Sequence, residues 1–131
     1  MKLIEREKDI ERDILIYLNS LDDVFAWKNN SVGVFDPVKK VYRKPKSKFL
    51  INGVADVICI KKYYKHQSIS ENDNEFIQHG PLSKVLFLEV KTSIGKQTKP
   101  QKYFEDNIKL LGGNYYIVRT IDDVKEVLLI N

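Results

Sequence analysis

The chain has 131 residues, of which 43% are hydrophobic and 31% charged, the make-up of one folded domain rather than a disordered tail. No apolar run approaches the roughly 18 residues of a membrane span, and a single cysteine excludes an internal disulfide framework. The opening "MKLIEREKDI" carries acids from the start, unlike a signal or transit peptide, so a cytoplasmic protein with no membrane partner is expected.

Taken in chain order, Leu3 to Leu21 reads as a helix, because Leu3, Ile10, Ile14, Tyr17, Leu18 and Leu21 recur on one stripe. Two short strands follow, Val24–Lys28 and Val32–Phe35, with "KNNS" turning between them. The Asp-Pro pair makes "DPVKK" a turn, and Val41–Arg43 is a further strand. "GVADVICI" is a strand opened by Gly53. Residues Lys65 to Ser83 are polar and read as a long hairpin loop. Val85–Val90 is the next strand, placed centrally. Pro100 starts a helix to about Leu111, closed by Gly112 and Gly113. "YYIV" is a strand and "IDDVKEVLLI" a last short helix. The expected class is α/β, a central mixed sheet flanked by helices in one domain spanning residues 1–131.

The net charge is +4, and its placement is uneven. Between Lys39 and Lys65 nine lysines and arginines face one acid, Asp56, with Tyr42, Phe49, Tyr63 and Tyr64 among them. Such a stretch suits a phosphate backbone, and it equally suits a solvated hairpin. Cys59 sits in an apolar run and reads as a small buried hydrophobe.

The residues that do not read as ordinary folding are Asp56, Glu89 and Lys91. Glu89 and Lys91 stand two apart at the end of an apolar strand, so they share a face with Phe87 and Val85. Asp56 breaks the apolar alternation of its own strand. If those strands are neighbours, the two carboxylates converge at a common end. Carboxylates in a partly dry site repel unless one is protonated or a cation lies between them. Mg²⁺ or Mn²⁺ with oxygen ligands resolves that conflict, and Lys91 can then hold an attacking water. Alone, an E-x-K at a strand end is a common surface ion pair. The first helix adds Glu7, inside the apolar stripe, and Glu11, beside Leu18, either of which could also be a snorkelling edge residue.

With these residues in view, the chain resembles the VRR-NUC branch of the PD-(D/E)XK nucleases. The likeness covers nearly the whole chain, through "EKDIERDILIYL", "AWKNNSVGVFDP", "NGVADVICI", "FLEVKTSIGKQTKPQ" and "LGGNYYIVRTIDDV" in the family's order. It implies a restriction-endonuclease-like core. It also implies an Mg²⁺- or Mn²⁺-dependent DNA endonuclease on branched duplexes such as Holliday junctions, acting as a homodimer in a phage or bacterial setting. Carried over by position, Asp56, Glu89 and the Val90 carbonyl would be metal ligands, with Glu11 as the helix acid and Glu7 the alternative. Lys91 would position water, and Gln101 would face the site from the following helix. Lys44, Lys46, Lys48, Lys96 and Lys99 are the candidate phosphate contacts. Ala55 departs from the proline of the motif's name.

Overall fold

The computed structural model describes residues 4–29, 34–43, 49–69 and 75–131, of which 34, 35, 42, 43, 65–69 and 75–80 are described by backbone alone. The first element, α1 (Glu7–Asn19), buries Ile10, Ile14 and Leu18, one residue per turn on one stripe. It starts later and ends sooner than its apolar pattern. Ser20 turns the chain, and the Asn19 amide donates to the Ala26 carbonyl at 3.0 Å and accepts from the Ala26 N–H at 3.1 Å. That amide fastens the end of α1 to β1 (Val24–Lys28).

A small hairpin follows, β2 (Val34–Asp36) with β3 (Val41–Arg43). Its turn forms where the Asp-Pro pair places it. Asp36 Oδ1 accepts from the Val38 and Lys39 N–H groups at 2.9 and 3.2 Å, and Lys40 takes φ 53°. The main sheet adds β4 (Val57–Ile69), β5 (Glu75–Val90) and β6 (Asn114–Val118), in the order β1-β4-β5-β6. β4 lies antiparallel to both neighbours, and β6 is parallel to β5, so the sheet is mixed and β5 lies inside it. The reading of a strand from Val32 falls partly outside the described residues, and in the main sheet two boundaries depart furthest from the sequence reading. The first strand of the β4–β5 hairpin begins at Val57, not at Gly53, which sits in a turn at φ 82°. The polar Lys65–Ser83 stretch is mostly ladder rather than loop, for β4 runs to Ile69 and β5 starts at Glu75.

Each face of the sheet has its own core. Val57, Cys59, Leu86, Leu88 and Val90 point to the side covered by α1 and α3 (Ile121–Ile130). Burying each of the larger side chains contributes about 1.5–3 kcal/mol. Phe87, Tyr115 and Ile117 point to the other side, where α2 (Lys99–Leu110) brings Phe104 and Ile108 against Ala55 and Val54. α2 opens with a capping box between Thr98 and Gln101, with proline in its first turn. It closes on Gly112 at φ 79°, with Gly112 N–H donating to Lys109 O and Gly113 N–H to Ile108 O. α3 is capped by Thr120 and Asp123 in the same way. The chain is therefore α/β, an open four-stranded mixed sheet flanked by three helices. Among the described residues no helix is long and apolar enough to cross a membrane.

Candidate active site

The β4–β5 register pairs Val57 with Leu88, and one step further it sets Asp56 across from Glu89. Asp56 lies just before the strand, yet its backbone is held as if within it, because the Asn29 N–H donates to Asp56 O at 2.8 Å. Its side chain is fixed too: the Val90 N–H donates to Asp56 Oδ2 at 2.9 Å. Residues just upstream explain how the turn fits. A Cβ on Gly53 would lie 2.3–2.5 Å from backbone atoms of Pro100 and Gln101, so only glycine lets this turn touch the first turn of α2. Ala55 is fully buried against Phe104 and Tyr115, where a small side chain fills the space.

Glu89 is completely buried. Its Oε1 accepts from Gln101 Nε2 at 2.8 Å and pairs with Lys91 Nζ at 3.5 Å. Among the described residues its Oε2 has no hydrogen-bond partner. Burial, and then the facing Asp56 carboxylate, push the Glu89 carboxyl up to about 8, against the pull of Lys91. Lys91 is itself buried, and its N–H donates to Val118 O at 3.1 Å, extending the β5–β6 ladder past the strand end. Gln101 has both ends of its amide engaged, since Oε1 accepts from the Thr98 N–H at 2.9 Å. It thus ties the cap of α2 to Glu89.

The two helix acids part ways. Glu11 is buried and pairs with Lys28 Nζ at 3.1 Å, on the α1 side of β1. Glu7 feels Lys91, Asp56 and Glu11, and burial first, with the two acids, holds its carboxyl above the usual range. Glu7 is thus in electrostatic reach of Lys91 and Asp56. Lys96 and Lys99 lie on the loop and first turn that lead to Gln101, and both are exposed. Lys44, Lys46 and Lys48 lie outside the described residues. Cys59 is buried, and burial pushes its thiol up to about 11, so it is no nucleophile.

Two supporting residues escaped the sequence reading. Arg119 donates to the carbonyls of Thr92 and Gly95, holding the loop that follows Lys91. Gln97 donates to Glu105 Oε1 at 3.2 Å and Tyr115 Oη at 3.1 Å, fixing the other end of that loop beneath α2. The signal for Arg119 lay in topology: β5 and β6 are parallel, so the residues just past Val90 and Val118 fall at one edge.

Two facing carboxylates with a buried oxygen that lacks a donor suit a hard divalent cation. Mg²⁺ in particular needs only one or two carboxylates and keeps water or phosphate as its other ligands. Among the described residues no group of three or more His, Cys, Asp and Glu side chains gathers closely enough to hold a metal by itself. Comparison with family models, with curated proteins and with solved structures finds no match for this chain.

Proposed function

We propose that this protein is a metal-dependent endonuclease that hydrolyses DNA phosphodiester bonds, with branched duplexes such as Holliday junctions as its substrate. The observation that carries the reading is the pairing of Asp56 with a fully buried Glu89 whose Oε2 has no partner among the described residues, beside a buried Lys91. A fold gains nothing from desolvating two carboxylates face to face, whereas phosphodiester hydrolysis needs them. Asp56, Glu89 and the Val90 carbonyl would hold Mg²⁺ or Mn²⁺, with Glu7 favoured over Glu11 as the helix acid nearby. When bound, the ion would polarise a phosphoryl oxygen and make water more acidic.

The chain's own residues do the rest. The Val90 N–H keeps Asp56 aimed across the strand, and Gln101 keeps Glu89 in one rotamer. Lys91 Nζ, held against Glu89 Oε1, offers its remaining protons to the attacking water and to the crowded phosphate. Water adds to phosphorus, the bond to the 3′ oxygen breaks, and the products carry a 5′-phosphate and a 3′-hydroxyl. Symmetric cutting of a four-way junction needs two sites, so a homodimer completes the proposal. A nickase or flap nuclease would use the same site, and a binding module that kept only the fold would not need it.

The test uses labelled junction, flap, linear and single-stranded DNA with Mg²⁺, Mn²⁺ or EDTA. Cutting is expected with either metal and not with EDTA. Lys91→Ala and Asp56→Asn should each lose at least about 100-fold in rate while still binding DNA. Binding without cutting under every metal would overturn the proposal.

A further inference from the structure

The sheet face that carries the site is only half covered. α2 packs over Phe87, Tyr115 and Ile117, the β5–β6 half, and among the described residues no helix covers the β1–β4 half. Across that half the register forms rows. Asn29, Asp56 and Glu89 make the first row; Trp27, Ile58 and Phe87 the second; Phe25, Ile60 and Val85 the third. Trp27 is 38% exposed and Phe25 66%, with ring centroids 5.6 Å apart and planes tilted by 42°. One row is two residues, about 6.6 Å along a strand, so Trp27 follows the carboxylates at roughly one nucleotide's distance. Beyond the third row Lys62 lies over the Tyr64 ring at 5.2 Å, with Asp22 and Asp23 on the outer rim.

Two exposed aromatic rings lie in line with the carboxylate row, and aromatic rings are the side chains on which flat bases stack. Paired bases hide their faces inside the duplex, whereas unpaired ones present them and stack on aromatic side chains at about 1–3 kcal/mol per base. The acids at the rim end the track after Lys62, so it fits a short unpaired stretch rather than a long one. We propose that Trp27 and Phe25 form a stacking platform for unpaired bases flanking the phosphate to be cut. The inference rests on the nuclease reading and narrows its substrate to branched DNA with an unpaired strand at the branch.

Trp27 is the single tryptophan of the chain, so its emission reports the platform directly. In EDTA, where nothing is cut, a short oligothymidine should quench it saturably, and a blunt hairpin duplex should quench it far less. Phe25→Ala should weaken oligothymidine binding about tenfold with an unchanged unfolding midpoint, and Phe25→Tyr should restore it. Equal quenching by both DNAs, or a Phe25→Ala variant that binds as before, would overturn the platform. So would a concentration-dependent emission shift that tracks dimer sedimentation and vanishes in Phe25→Ala, because a second copy would then cover this face. Quenching without cleavage under any metal would remove the nuclease reading and leave the platform standing.

Discussion

Glu89 is pulled two ways by its neighbours. Burial and Asp56 favour its protonated form, while Lys91 and Gln101 favour the carboxylate. The balance sets a pH dependence for the metal-free protein. Unfolded, the group titrates near 4.5; folded, near 8, so between those values the folded chain holds a proton that the unfolded chain has released. Stability must then fall as pH rises through that window and level off above it. Urea unfolding in EDTA should show the midpoint dropping from about pH 5 to about pH 8. Glu89→Gln should flatten the drop, since its amide can still accept from Gln101 and can donate to Asp56. A natural chain equally stable across the window would count against the buried pair. The measurement should stay below about pH 9, where the raised Cys59 thiol begins to act in the same direction. The convergence of Asp56, Glu89 and Lys91 was legible from strand periodicity, which sets faces once two strands are neighbours. The choice between Glu7 and Glu11 was not, because both lie near the apolar stripe of α1. In the fold Lys28 on β1 engages Glu11, while Glu7 feels Lys91 and Asp56.

At the scale of elements, the helices and strands that build the site were readable because each bears a local signal. Pro100 and Gly112 bound α2, and Thr120 starts α3. The role of Gly53 was not readable, since it depends on contact with a helix far along the chain, between the turn before Asp56 and the backbone of Pro100 and Gln101. Two glycines at similar positive φ therefore carry different loads. At Gly112 nothing lies within 4 Å of where an added methyl would sit, so Gly112→Ala costs only the strain of the left-handed backbone, about 1 kcal/mol. Gly53→Ala adds a collision with backbone that cannot rotate away, and should cost distinctly more than that. It should also shift α2 and slacken the Gln101–Glu89 bond, lowering the proposed cleavage as well as the urea midpoint. Equal losses at the two positions would mean that α2 is not braced by this turn.

Across the whole molecule, the largest departure from the sequence reading is the β4–β5 ribbon. Ladder pairing with β1 ends at Lys61, a last bond runs from the Lys62 N–H to Asp23 O, and pairing with β6 begins at Leu86, so among the described residues the two strands pair only with each other from Tyr63 and Leu82 outward. Alternation of polar and apolar residues marks a strand only where one face is buried. Out on the ribbon no sheet neighbour among the described residues imposes that pattern, and a polar ladder looks like a loop in sequence. The same reasoning separates what the core needs from what it does not. The buried clusters draw on Val57 and Cys59 from β4 and on Leu86, Leu88 and Val90 from β5, all on the sheet side of Lys62. Beyond Tyr63 and Leu82 the described contribution of the ribbon is its backbone ladder, whose hydrogen bonds replace bonds to water and are offset by the cost of ordering the strands. Joining Tyr63 directly to Leu82, which face each other across the ladder, through an Asn-Gly turn should therefore leave a cooperatively folding protein. Its thermal midpoint should stay within about 5 °C of the full chain, a shift on the order of 1 kcal/mol. Trp27 emission should stay the same, because Phe25, Trp27, Ile58 and Ile60 all lie below the cut. A broad or early transition would show that the ribbon holds the sheet together after all, and would move it from appendage to structural element.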